Sequence, residues 1–170
     1  FSPSPPSSFP WRPTGALFAS RTGITATHVP FRGAAQTIPA MLSGDVDFAI
    51  DNLASYIPAI QQGQMTPLAV TSAGRWPGLP QVPTMGEAGV PDFVVTSWAT
   101  FVVPAGTPRA IMDQLSASIR SIATDPEMQQ RFQTAGALIL GSTPEEASAR
   151  AARERPMWRE MVRLSGARAD

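Results

Sequence analysis

Asp51 and Asn52 place a carboxylate and a carboxamide where an apolar run, Val46 to Ile50, meets the helical pattern LASYIPAI. An acid and an amide at such a junction suit a catalytic acid, a metal ligand, a helix cap or one wall of a ligand cleft. Capping is the commonest use of Asp and Asn there, because the first amides of a helix have no partner inside it. The same amides favour an anion, and the carboxyl end of a parallel strand opens onto the crevice where ligands of open α/β sheets bind. Both uses fit one helix start. Asp51 would repel a carboxylate and suits an amine, a hydroxyl or a water, whereas Asn52 serves either sign.

FRGAAQT, residues 31 to 37, is a second junction of this kind. Gly33 with the small Ala34 and Ala35 lets backbone amides approach a ligand closely. Arg32 suits an anion, although an exposed loop Arg is usually solvated. Trp98 stands among Ser and Thr in TSWATFVVPAGTP, where a strand Trp serves packing or walls a small-ligand cleft. Other chemistry finds little support. His28 is the sole histidine and cysteine is absent, so metal sites and thiol catalysis are not expected. No GxSxG elbow marks a nucleophile, and Glu145 with Glu146 is explained by a capping box begun by Thr143.

The elements that must hold these residues alternate. GALFASRTG reads as a helix, ITATHVPF (24–31) as a strand, and AAQTIPAMLSG as a helix with Pro39 bending it or in its first turn. DFAI (47–50), a helix from Leu53 to about Gln62, and the strand PLAVTS (67–72) follow. This order, with short connections, predicts a parallel sheet with covering helices. GRWPGLPQVPTMGEAGVPDF reads as an irregular connection and VVTSWATFVV (94–103) as a long strand. Thr107 with Pro108, Asp125 with Pro126, and Thr143 to Glu146 then signal three helix starts, with ALIL (137–140) as a short buried strand before the last. No internal repeat is evident. Residues 1–14, crowded with Pro and Ser, read as an irregular arm on which Trp11 docks back to the body.

Composition narrows the function classes. Thirteen basic residues, all Arg, balance thirteen acidic ones, so no broad positive field draws in nucleic acid. No apolar run approaches the roughly 20 residues a membrane-spanning helix needs. Hydrophobic residues at 43% fit a globular chain of 170 residues.

From about Gly15 onward the chain resembles the Bug-type extracytoplasmic solute-binding receptors of tripartite tricarboxylate transporters. The resemblance is carried by HVPFRG, by the turns of RWPGLPQVPTMGEAG and by SWATFVVPAGTP, which are specific in combination. It implies an α/β, periplasmic-binding-protein-like fold: a second lobe, complete or nearly so, over residues 15–95, and a crossing strand with the carboxyl-terminal part of a first lobe over residues 96–170. It also implies a periplasmic location, no cofactor, a small carboxylate solute and membrane transporter subunits as partners. By position, Arg32, Gly33, Ala34, Asp51 and Asn52 match the second lobe's contribution to the solute site, and Trp98 matches the strand returning to the first lobe. Receptors of this kind are longer and carry a signal peptide and Gly-rich first-lobe loops, so the expectation is an amino-terminally truncated or frame-shifted product that binds solute weakly. Two other readings stay open: a small hydrolase using Asp51, and a non-binding remnant acting as a structural or interaction domain.

Overall fold

The computed structural model describes residues 11–166, with Trp11 described by its backbone. Six helices account for its regular structure: α1 (Trp11–Thr22), α2 (Ala34–Leu42), α3 (Leu53–Gln61), α4 (Arg109–Ala123), α5 (Pro126–Thr134) and α6 (Pro144–Ser165). The arm expected over residues 1–14 lies outside the described residues as far as residue 10. From Trp11 onward it is corrected to helix. Pro13 is compatible with that helix because it falls in the first turn, where no amide bond is required of it. Thr14 and Pro13 are buried.

The chain divides into two units. The first comprises residues up to Ser97 together with those from Met157, and the second runs from Trp98 to Pro156. The end of α6 therefore belongs with the first unit, unlike the single stretch over 96–170 read from sequence. The reason is its apolar face. Met157, Trp158, Met161 and Leu164, spaced for one side of a helix, join Leu17 and Phe18 of α1 and Met85, Phe93 and Val95 in the first unit's core. Met161 is fully buried. Phe18 meets Phe48 and Phe93 edge-on, each with ring centroids 6.0 Å apart.

Within this unit α2 and α3 are built alike. TIPAMLSG and YIPAIQQG place Thr37 and Tyr56, Pro39 and Pro58, and Gly44 and Gly63 at corresponding positions. Each Pro lies inside its helix, beyond the first turn. Each helix ends on a positive-φ Gly in a Schellman pattern: Asp45 N–H donates to Ala40 O and Gln64 N–H to Ala59 O. The irregular connection after residue 72 is fastened by Glu87, which accepts from Arg75 Nε (2.9 Å) and Thr84 N–H (2.7 Å). These bonds hold the Glu87 carboxyl down at about 2.

The segments expected as strands are not helical, but among the described residues they form no ladder. One parallel bridge pairs Val70 with Thr84, and Val95 N–H donates to Thr71 O at 2.9 Å. A helix closes its own hydrogen bonds, whereas an extended segment forms a ladder only beside a neighbour. The expected buried strand ALIL is corrected too, since Leu138 and Leu140 are exposed.

In the second unit the start of α5 follows the sequence: Asp125 accepts from the amides of Glu127 and Met128. The box at α6 is reciprocal, with Glu146 N–H donating to Thr143 Oγ1 and Thr143 N–H to Glu146 Oε2. Thr107 is a correction. Its hydroxyl donates back to Pro104 O, and α4 starts without a side-chain cap. Ala123 is the one buried hydrophobic residue here among the described residues, and a Cβ on Gly141 would come within 2.7 Å of it. Phe101 and Val102 stand 83% and 85% exposed.

The first unit's core makes a quantitative expectation. Met161→Ala should lower stability by about 2–5 kcal/mol, seen as a lower urea midpoint with an unchanged slope.

Candidate functional site

The start of α2 is set by Gly33, whose φ of 130° is open to glycine and strained for other residues. A side chain added there would meet nothing within 4 Å, so the backbone faces open space. No side chain caps the helix. Gln36 reaches back instead, its Oε1 accepting from Arg32 N–H at 3.0 Å. The amides of Ala34 and Ala35 are left without an acceptor among the described residues, as first-turn amides are unless something caps them.

The start of α3 departs from the capping expectation. Asn52 occupies the cap position, but its side chain makes no capping bond. Its Oδ1 accepts from Ser97 Oγ at 2.7 Å instead, which leaves the Nδ2 end as a donor. Asp51 does not cap either. Its Oδ1 accepts from Asn52 N–H at 2.7 Å and its Oδ2 from the Tyr56 hydroxyl at 3.0 Å.

Tyr56 lies beside both starts. Its ring is buried, its hydroxyl donates to Asp51, and Thr37 of α2 is a neighbour of that hydroxyl. Thr37, also buried, donates to the carbonyl of Gly33 at 3.3 Å. Two separate contacts result, Thr37 to the Gly33 carbonyl and Tyr56 to the Asp51 carboxylate. Burial, then the neighbouring Asp51 charge, raise the Tyr56 phenol well above the ordinary tyrosine range.

Of the residues singled out from sequence, Gly33, Asp51 and Asn52 are brought into one neighbourhood, with Ala34 beginning α2 beside Gly33. Arg32 is exposed and forms no ion pair among the described residues. Trp98 belongs to the second unit. There its Nε1–H donates to Glu154 Oε2 at 2.7 Å, and the Arg150 guanidinium lies 5.5 Å from its ring centre. Arg150 in turn pairs with Glu154 at 2.8 Å. The hollow of about 350 Å³ found in that unit is lined by residues such as Leu140, Ser142, Ala147 and Arg153, and by none of those singled out except Glu146.

Thr37, Tyr56 and Ser97 were missed from sequence. Tyr56, the chain's sole tyrosine, carried a signal: it sits one turn into an apolar helix, where a buried hydroxyl needs a partner.

Chemically this is a surface of donors. The Ser97 hydroxyl donates to a carboxamide, which cannot take its proton, and both Asp51 oxygens accept from protein groups. No activated nucleophile results. Among the described residues no three His, Asp or Glu gather as a metal site.

A model of the tripartite tricarboxylate transporter family receptor, TctC, matches residues 13–151. The chain belongs to this family. The Bordetella pertussis protein BugT is 31% identical over 152 residues, 89% of this chain and 47% of BugT. A Rhodopseudomonas palustris protein solved with adipate superposes with a TM-score of 0.82 at 32% identity, over 92% of this chain and 52% of that one. MatC from Rhodopseudomonas palustris, solved with malate, gives 0.73 at 27% identity over 89% and 53%. The chain thus spans about half the length of curated relatives such as BugT. Its fold is α/β of the periplasmic-binding-protein kind, of which it forms a part. The family is one of receptors. No helix among the described residues is long and apolar enough to cross a membrane.

Because Tyr56 is the only tyrosine, absorbance near 295 nm reads its ionisation alone. The phenol should titrate above the ordinary value of about 10, and Asp51→Asn should bring it down by removing the adjacent charge. A raised folded value means that its contribution to stability is complete below about pH 10 and is lost as pH rises beyond it.

Proposed function

We propose that the first unit supplies one wall of a binding site for a small carboxylate solute, in a periplasmic receptor that serves a tripartite tricarboxylate-type transporter. The observation that carries this reading is the pair of uncapped helix starts, at Gly33 and Asn52, on two helices that pack against one another. Two such starts present amide hydrogens and the positive ends of two helix dipoles, the arrangement that holds an anion without a cation. The bound adipate and malate of the two similar receptors support a carboxylate as the solute.

In this reading the amides of Ala34 and Ala35 and the Asn52 carboxamide donate to the carboxylate, and Gly33 keeps the approach open. Arg32 attracts the anion from solvent. Ser97, preceding Trp98, orients Asn52. Binding without turnover fits a site whose one carboxylate is already bonded to protein. A receptor closing two lobes gains affinity from both, so the half described here should bind weakly.

Titration of the labelled chain with adipate or malate, followed by amide NMR shifts, tests this. Shifts should concentrate on residues 33–37 and 51–55, with a Kd on the order of 1 mM. Gly33→Ala should weaken them by straining the loop. Micromolar affinity, or shifts that bypass both helix starts, would refute the proposal.

The exposure of Phe101 and Val102 favours a second reading, an interaction domain that binds no solute. On that reading light scattering shows association that Phe101→Ser with Val102→Ser abolishes. A monomer at all concentrations excludes it.

A further inference from the structure

The second unit, Trp98 to Pro156, exposes apolar residues in groups and buries one hydrophobic side chain among the described residues, Ala123. Scattered exposed apolar side chains are ordinary, whereas grouped ones mark a surface that something covers. Phe101, Val102 and Val103 are exposed in succession, so this extended segment is apolar on both faces. Strands of that kind lie inside a sheet with helices on either side. Leu138 and Leu140, two residues apart, give a second extended segment one exposed apolar face. Ile111, Leu115 and Ile122 form an exposed stripe along α4 at helical spacing.

The backbone of the two extended segments is unpaired as well. No amide of residues 98–103 or 138–142 donates to a backbone carbonyl among the described residues. Such edges are templates for further strands. Charges nearby are matched locally, Arg109 with Asp113 and Glu145, and Arg150 with Glu154, so the surface calls for strands and apolar cover rather than for an ion. A second copy of the chain presents only the same open edges. A twofold contact can pair one of them with itself but brings no helices to cover a strand apolar on both faces. The relatives indicate what does. The Rhodopseudomonas palustris protein solved with adipate follows 92% of this chain with 52% of its own length, and BugT matches with 47% of its length.

We infer that the second unit is a docking face for a separate polypeptide, the portion of a TctC receptor that this chain does not span, which pairs strands with residues 98–103 and 138–142 and covers the apolar stripe of α4. This partner is assigned from family membership and from the surface itself, independently of the solute reading.

Co-expression of the tagged chain with the part of BugT outside its match tests this. The two should purify as a one-to-one complex, and hydrogen exchange of the amides over 98–103 and 138–142 should slow at least about tenfold relative to the chain alone. Val102→Pro removes a strand donor that the chain alone does not use, so its urea midpoint should stay in place while recovery of the complex falls at least about tenfold. Leu138→Ser with Leu140→Ser keeps the backbone and should lower recovery by removing apolar cover. A complex that both variants leave intact overturns the inference, because the docking face then lies elsewhere. So does slow exchange over these segments in the chain alone, or a chain that pairs with itself and leaves the BugT part behind. Failure to recover a complex with either the BugT part or the corresponding part of the adipate protein overturns it too, whether or not those parts are soluble by themselves.

Discussion

A tyrosine whose ring is buried must still bond its hydroxyl, and the placement of the first unit's polar groups follows from how Tyr56 does so. It donates to Asp51, just before α3, and Thr37 of α2 donates to its own helix start at Gly33 O. Leaving the phenol unmet would cost on the order of 1–3 kcal/mol, comparable with a good part of a small domain's net stability. The bond therefore ties the approach to α3 to that helix's own first turn. It also decides the state of Asp51, which is neither a cap nor a free base.

That arrangement separates binding from catalysis on chemical grounds. A hydrolase using Asp51 would need the carboxylate free to take a proton from water or from a hydroxyl nucleophile. Here the carboxylate accepts from an amide and a phenol, and the nearby Ser97 hydroxyl is turned to an amide oxygen. What remains is a set of oriented donors without an acid–base pair, an arrangement suited to binding and not to proton transfer. Membership of a receptor family is in keeping with that arrangement.

The sequence made the local devices readable. Asp125-Pro126 and Thr143 to Glu146 start helices as their side chains dictate, because a cap depends on residues within one turn. Gly33 and the Asp51-Asn52 pair were marked by type and position at segment junctions. Ser97 was not marked, because its role arises from a contact across the chain: it meets Asn52 over 45 residues of separation. The capping reading of Asn52 failed for the same reason, since a distant hydroxyl claimed the oxygen a cap would use. Thr107 shows a local version of that competition, its hydroxyl going to Pro104 O rather than to the helix it precedes.

The same contrast between local and distant bonding separates the two units. The first has a core because α1, the turns around Met85 and Phe93, and the apolar face at the end of α6 converge on Met161. The second has well-made helix starts and an ion pair clamped on Trp98, yet it buries a single hydrophobic residue, Ala123. Helix starts and i, i+4 pairs stabilise segments by tenths to about 1 kcal/mol each, whereas burying one large apolar side chain contributes about 1.5–3 kcal/mol. Phe101, Val102, Leu138 and Leu140 lie in extended segments whose backbone and side chains alike need a neighbour. Among the described residues, regular helices therefore persist in both units, while pairing between extended segments is confined to the surroundings of Val70, Thr84 and Val95, where the first unit's core brings backbones together.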